Sequence, residues 1–109
     1  MKKALLMLAL CASAAHAEFM DGNRLLADMN GTQMRQMSAV GYVMGASDAL
    51  TTVTVCMPDG VTVGQAHDIV KRYLEDNPAI RHLSADSLVN RALSRVWPCQ
   101  RSNQRGSGT

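Results

Sequence analysis

The sequence predicts an all-α fold: a small four-helix bundle stapled by one disulfide, Cys56–Cys99. Three observations predict it. Apolar residues recur at three- and four-residue spacing in successive segments, each bounded by cap or turn residues. Once a leader is removed, Cys56 and Cys99 are the cysteines that remain, an even pair in an oxidising compartment. If successive helices alternate in direction, the second and fourth end on the same side, and the two cysteines follow those two ends.

The leader is residues 1–17. Lys2 and Lys3 form a basic region, Ala4 to Leu10 an apolar one, and Ala15-His16-Ala17 a cleavage signal before Glu18. The apolar run is too short to cross a bilayer, which takes about 20 helical residues. Cys11 is set aside as a lipid-attachment site because Leu10 stands where Gly or Ala is wanted. The mature chain is expected in the periplasm, with no membrane insertion after the leader is gone.

Removing Lys2 and Lys3 from 11 basic residues leaves nine, against 9 acidic ones. A mature charge near zero gives no support to a nucleic-acid or membrane-surface partner. About 92 residues remain, enough for one domain with a modest core. Residues 18–99 are read as that domain and 100–109 as a disordered polar tail. A bridge closing a loop of about 44 residues is worth roughly 4 kcal/mol in the chain-entropy model, a large share of a total of about 5–15 kcal/mol.

Asp21, Gly22 and Asn23 are cap and turn residues, and Arg24 to Met29 reads as a short first helix. Asn30-Gly31 stops it. Thr32 can cap the second helix, Gln33 to about Thr51, with apolar or small residues at Met34, Met37, Val40, Gly41, Met44 and Ala49. Methionines at this spacing ordinarily fill a core. Gly41 and Gly45 share a face, where a close helix crossing would offset their cost; simple tolerance is the alternative. The β-branched run Thr51 to Val55 weakens helix before Cys56.

Met57-Pro58-Asp59-Gly60 is a turn in which Gly60 can supply a positive φ. Thr62 and Gln65 have the spacing of a capping box for the third helix, which runs to about Asp76. Val63, Ala66, Ile69, Val70, Tyr73 and Leu74 are its expected buried stripe; His67, Asp68, Lys71, Arg72 and Glu75 its wet face. Pro78 ends it. Ser84 is the expected cap of the last helix, with Leu83 and Leu88 as a hydrophobic staple. Leu88, Val89, Ala92, Leu93 and Val96 are its core stripe, Arg91 and Arg95 lie outside, and Pro98 stops it.

The residues give no support to catalysis. His67 and His82 fall on a wet face and in a loop, too few and too scattered for a metal site. No base stands beside Cys56, the serines carry no nucleophile motif, and no phosphate-cradling glycine loop follows a strand. No cofactor is expected. Met34, Met37 and Met44 on one face leave a Cu(I) carrier as a remote reading. What remains is a binding surface. The segment Asp76 to His82 joins two helices and combines Pro78 with Asn77, Ile80, Arg81 and His82, a candidate recognition loop. The plainer alternative is a connector whose Ile80 tucks into the core.

Five motifs, Gly41-Tyr-Val-Met-Gly-Ala-Ser-Asp48, Cys56-Met-Pro-Asp-Gly-Val-Thr-Val-Gly-Gln65, Tyr73-Leu-Glu-Asp-Asn-Pro78, Arg81-His82 and Trp97-Pro-Cys99, stand in this order. With these spacings, the chain from Phe19 to Cys99 resembles the Rap/Tai immunity proteins, small periplasmic helical proteins. The resemblance implies a non-enzymatic partner of a type VI secretion effector, a Cys/His amidase that cuts peptidoglycan peptides. It also implies a homodimer with two effectors bound, each blocked by a loop entering its cleft. Many members of the family carry a further cysteine pair near the places where Met29 and Val40 stand here; both are absent together, which implies that the fold survives with a looser first helix. The alternative reading is a helical binding or chaperone protein of the envelope with no amidase partner.

Overall fold

A computed structural model describes residues 19–100. The expected leader, residues 1–17, and the expected polar tail from Arg101 lie outside the described residues. Four α-helices follow in order: α1, Gly22–Met29; α2, Gln33–Leu50; α3, Val63–Asp76; α4, Ala85–Val96. A single 3-10 turn, Pro78–Ile80, separates α3 from α4. The predicted all-α bundle is the observed fold.

Local chemistry sets the boundaries. The Asp21 carboxylate accepts from the Arg24 N–H at 2.8 Å, so α1 begins two residues before its expected start. Thr32 accepts from the Arg35 N–H and starts α2. The Thr62–Gln65 capping box forms with both of its bonds, 2.8 and 3.2 Å. α2 ends where the β-branched run begins: Thr52 takes a positive φ of 68°, and the Val55 N–H folds back to the Leu50 carbonyl. Gly60 has φ 90°, as the turn requires.

Ser84 departs from expectation. It occupies the cap position of α4, but its hydroxyl makes no cap bond. Its backbone is instead paired in antiparallel fashion with Asp21, and the Ala85 N–H bonds the Met20 carbonyl at 2.9 Å. The chain entering α1 thus does part of what the side chain was expected to do.

The core is built from Leu25 and Met29 of α1, Ala39 and Val43 of α2, Ala66, Val70 and Leu74 of α3, and Leu88, Val89, Ala92 and Leu93 of α4. Each fully buried leucine or valine contributes roughly 1.5–3 kcal/mol. Val55 joins them from the segment after α2. The two ends that carry the cysteines meet as the topology predicts: Cys56 and Cys99 are bonded, with Cα atoms 4.9 Å apart. The Cys56 N–H also bonds the Trp97 carbonyl at 2.9 Å, and Val55 pairs with Pro98.

Three stripe assignments are corrected. On α2, Met34, Met37, Val40 and Met44 are exposed rather than core. The helix has no pronounced polar face, and the bundle takes the side with Ala39, Val43 and Ser47, whose short side chains let neighbouring helices approach. A Cβ on Gly41 or Gly45 would meet nothing within 4 Å, so the close crossing they suggest does not occur inside the protomer. Val63 and Val96 are also exposed, because each sits at a helix end beyond the bundle's reach.

α1 is tied to α2 by an ion pair. Asp28 is buried and takes Nε and a terminal nitrogen of Arg35. On α2, burial, followed by the Asp86 carboxylate, pushes the Tyr42 hydroxyl above its usual pKa.

Candidate partner-binding surfaces

The segment Asn77–His82 is fastened at both ends. The Asn77 side chain donates to the Tyr73 carbonyl at 2.8 Å and closes the last turn of α3. At the other end, the Arg81 carbonyl accepts from the Asn23 N–H at 2.9 Å and the Leu83 carbonyl from the Gly22 N–H at 3.0 Å. The loop is therefore laid along the start of α1.

The four candidate residues divide. Ile80 is half-buried and packs against the core, which is the connector role. Arg81 is half-buried, and its Nε is enclosed without a partner. Pro78, Ala79 and His82 are exposed. The loop thus combines an internal anchor with an outward rim, and the two alternatives for it are both realised, on different residues.

His67 is not the solvated histidine expected. Its side chain is mostly enclosed, Nδ1 lies 3.4 Å from the exposed Asp68 carboxylate, and Nε2 is buried without a partner. Among the described residues, no group of three or more His, Cys, Asp or Glu side chains is gathered to hold a metal ion.

Two further surfaces were not read as partner-binding sites from the sequence. One is the outward face of α2, with Met34 80 % and Met37 67 % exposed. Beside it, between α2 and the start of α3, lies a cavity of about 140 Å³ walled by Val43, Met44, Ser47, Met57, Val63 and Ala66. Ser47 is 5 % exposed, and its hydroxyl has no hydrogen-bond partner. The other is an open groove along α3 and α4 over Ile69, where Arg72 stands beside Trp97 and, further on, Tyr73 and Arg95. The Arg95 guanidinium sits 5.9 Å from the centre of the Tyr73 ring. The sequence does carry a signal for the α2 face: no charged residue occurs between Arg35 and Asp48.

A sequence signature described as Rap1a immunity proteins matches residues 8–99. The chain belongs to this family. Members of the Rap1a family are immunity proteins, so the chain acts by binding a cognate secreted effector. No curated protein matches the chain. The disulfide and the loop on α1 both fall within the matched span, so the family signature covers the whole described bundle. No helix among the described residues is long and apolar enough to cross a membrane.

Proposed function

We propose that this Rap1a family protein is exported to the periplasm by its cleaved leader and there neutralises a type VI secretion amidase that cuts peptidoglycan peptides. It acts by occlusion. The loop Asn77–His82 enters the cleft of the Cys/His amidase, with His82 and Arg81 as the polar contacts and Ile80 and Asn77 holding the loop in shape. The protein works as a homodimer, one effector on each protomer, and catalyses nothing itself.

The anchoring of the loop is the observation that carries this reading. A recognition loop gains affinity when its ordering cost is met before binding. Here the Arg81 and Leu83 carbonyls are bonded to the backbone of Asn23 and Gly22, and the Asn77 side chain to Tyr73. His82 is left facing solvent on a fixed backbone.

The test is direct. The mature chain is mixed with the amidase encoded beside it, and hydrolysis of peptidoglycan peptides is followed. Stoichiometric inhibition is expected. Periplasmic capture with no amidase bound, together with a deletion strain that stays resistant to its own effectors, would overturn the reading. A second reading, a binding or chaperone role in the envelope, is favoured by the exposed methionines of α2, since flexible Met-rich surfaces suit varied partners. Protection of unfolded envelope proteins by the mature chain alone would support it.

A further inference from the structure

The cavity between α2 and the start of α3 has two ends of different character. Val43 and Ser47, one turn apart on α2, and Ala66 of α3 are buried and form its floor. Met44 and Val63 are exposed and stand at its mouth, and the exposed Asp48 lies on the rim. Met57, half-buried, closes the side toward the turn that leads into α3. No wall residue belongs to the loop Asn77–His82, so the cavity is separate from the proposed effector contact.

We propose that this cavity binds a small uncharged aromatic molecule of the phenol class, one ring with one hydroxyl that pairs with Ser47. The ligand enters between α2 and α3, on the side of α2 that carries Ser47. Four features of the walls select it. The first is size: the space is about 140 Å³, and an apolar cavity of about 150 Å³ takes benzene. The second is the Ser47 hydroxyl, which is buried with no protein group in hydrogen-bond reach. A hydroxyl can both donate and accept, so a phenolic O–H suits it in either sense. A water is poorly held on that floor, because it needs about two to four polar partners.

The third feature is the pair Met44 and Met57, which flank the space from different elements. Thioether sulfurs make favourable contacts with aromatic rings, and unbranched methionines adjust to the shape of what they enclose. An aliphatic ligand would gain less from them. The fourth is Asp48. A carboxylate at the rim, above an apolar floor, disfavours an anionic ligand, which would also lose its hydration on entry. The ring therefore lies against Val43 and Ala66, between the two methionines, with its hydroxyl at Ser47.

The test uses the mature chain with its disulfide intact and its methionine methyl groups labelled for NMR. Phenol is the probe. The Met44 and Met57 methyl signals are expected to shift and saturate, with a dissociation constant on the order of 1 mM, while Met34 and Met37 on the open face of α2 stay in place. Benzoate, the same ring with a charge, is expected to bind at least about tenfold more weakly. Ser47→Ala is expected to weaken phenol about fivefold and to leave benzene unchanged. No saturation by about 20 mM phenol overturns the site. Equal shifts at Met34 and Met37 mark adsorption on the helix surface and overturn it as well. Phenol binding unaltered in Ser47→Ala overturns the hydroxyl as the recognising group, and with it the phenol class. Release of a captured effector by phenol overturns the free molecule as occupant and assigns the cavity to a side chain of the effector. Effector inhibition is measured without phenol, so a failure here leaves the proposed function standing.

Discussion

Arg35 brings Nε and a terminal nitrogen each within 2.8 Å of one oxygen of Asp28, whose side chain is only 4 % exposed. This pair ties the end of α1 to the first turn of α2. Arg24 stands further off, at 3.7 Å. Removing one member of a buried pair strands the other, at about 3–5 kcal/mol, whereas exposed pairs are worth about 0–1 kcal/mol. Arg35 is half-exposed, so Arg35→Met is expected to cost about 2 kcal/mol, between those limits. Asp28→Leu combined with Arg35→Met should recover part of the loss. Urea unfolding of the three proteins measures this, and an unchanged Arg35→Met would mean that α1 is held by Leu25 and Met29 alone.

That pair also marks what the sequence could not disclose. Thr62–Gln65, Asp21, Gly60 and the Cys56–Cys99 bridge act locally or follow from helix direction, so residue types at fixed offsets reveal them. Asp28 and Arg35 look like ordinary surface charges until α1 and α2 are packed. Met34, Met37 and Met44 were misplaced for a related reason. On a helix with no pronounced polar face, periodicity states that a helix forms but not which side the bundle takes. His67 looked wet because it lies among charged residues of α3, yet its ring is enclosed. The loop was legible as an element but not in its division between Ile80 inside and His82 outside.

The Cys56–Cys99 bridge spans a separation of 43 residues. In the chain-entropy model a loop of that size lowers the free energy of folding by about 4 kcal/mol. Cys56→Ala with Cys99→Ala is therefore expected to lower stability by about 3–4 kcal/mol, since the Cys56–Trp97 backbone bond and Val55 remain. Urea midpoints of the oxidised protein and the double variant test this. Equal midpoints would show that the strand-like contact of Val55 with Pro98 suffices.

Ile80 and His82 should separate folding from binding. Ile80→Ala removes part of a half-buried side chain packed on the core and is expected to cost about 1–2 kcal/mol. His82→Ala should leave stability within about 0.5 kcal/mol while weakening effector inhibition at least tenfold. Thermal melts and inhibition of the effector measured on the same samples check both. Unimpaired inhibition by His82→Ala would move the contact off this part of the loop.

Tyr42 predicts an alkaline limb. Burial, then Asp86, holds its hydroxyl above the reference value of 10.0, so the folded state retains that proton more tightly than the unfolded chain. Its contribution is fully present below the unfolded value and is lost as pH rises through the folded one. Wild type should therefore lose stability between about pH 9 and 11 more steeply than Tyr42→Phe, as denaturant midpoints across that range would reveal. Parallel curves would assign the alkaline loss to other groups.

Gly22 joins stability to the proposed recognition loop. It opens α1 beneath the Arg81 backbone, and a Cβ there would strike the Leu88 side chain and lie 2.8 Å from the Arg81 carbonyl oxygen. Leu88 belongs to the core and cannot swing away, so the loop must yield. Gly22→Ala is expected to destabilise by about 1–3 kcal/mol and to shift Arg81 and His82 from their places. The Asn23–Arg81 bond at 2.9 Å should lengthen, so amide exchange at Asn23 should speed up before the rest of α1. Inhibition of the effector should fall by more than the fraction unfolded accounts for, because the rim of the loop has lost its fixed geometry. If the loss of inhibition only tracks the unfolded fraction, the fastening on α1 serves the fold and not recognition.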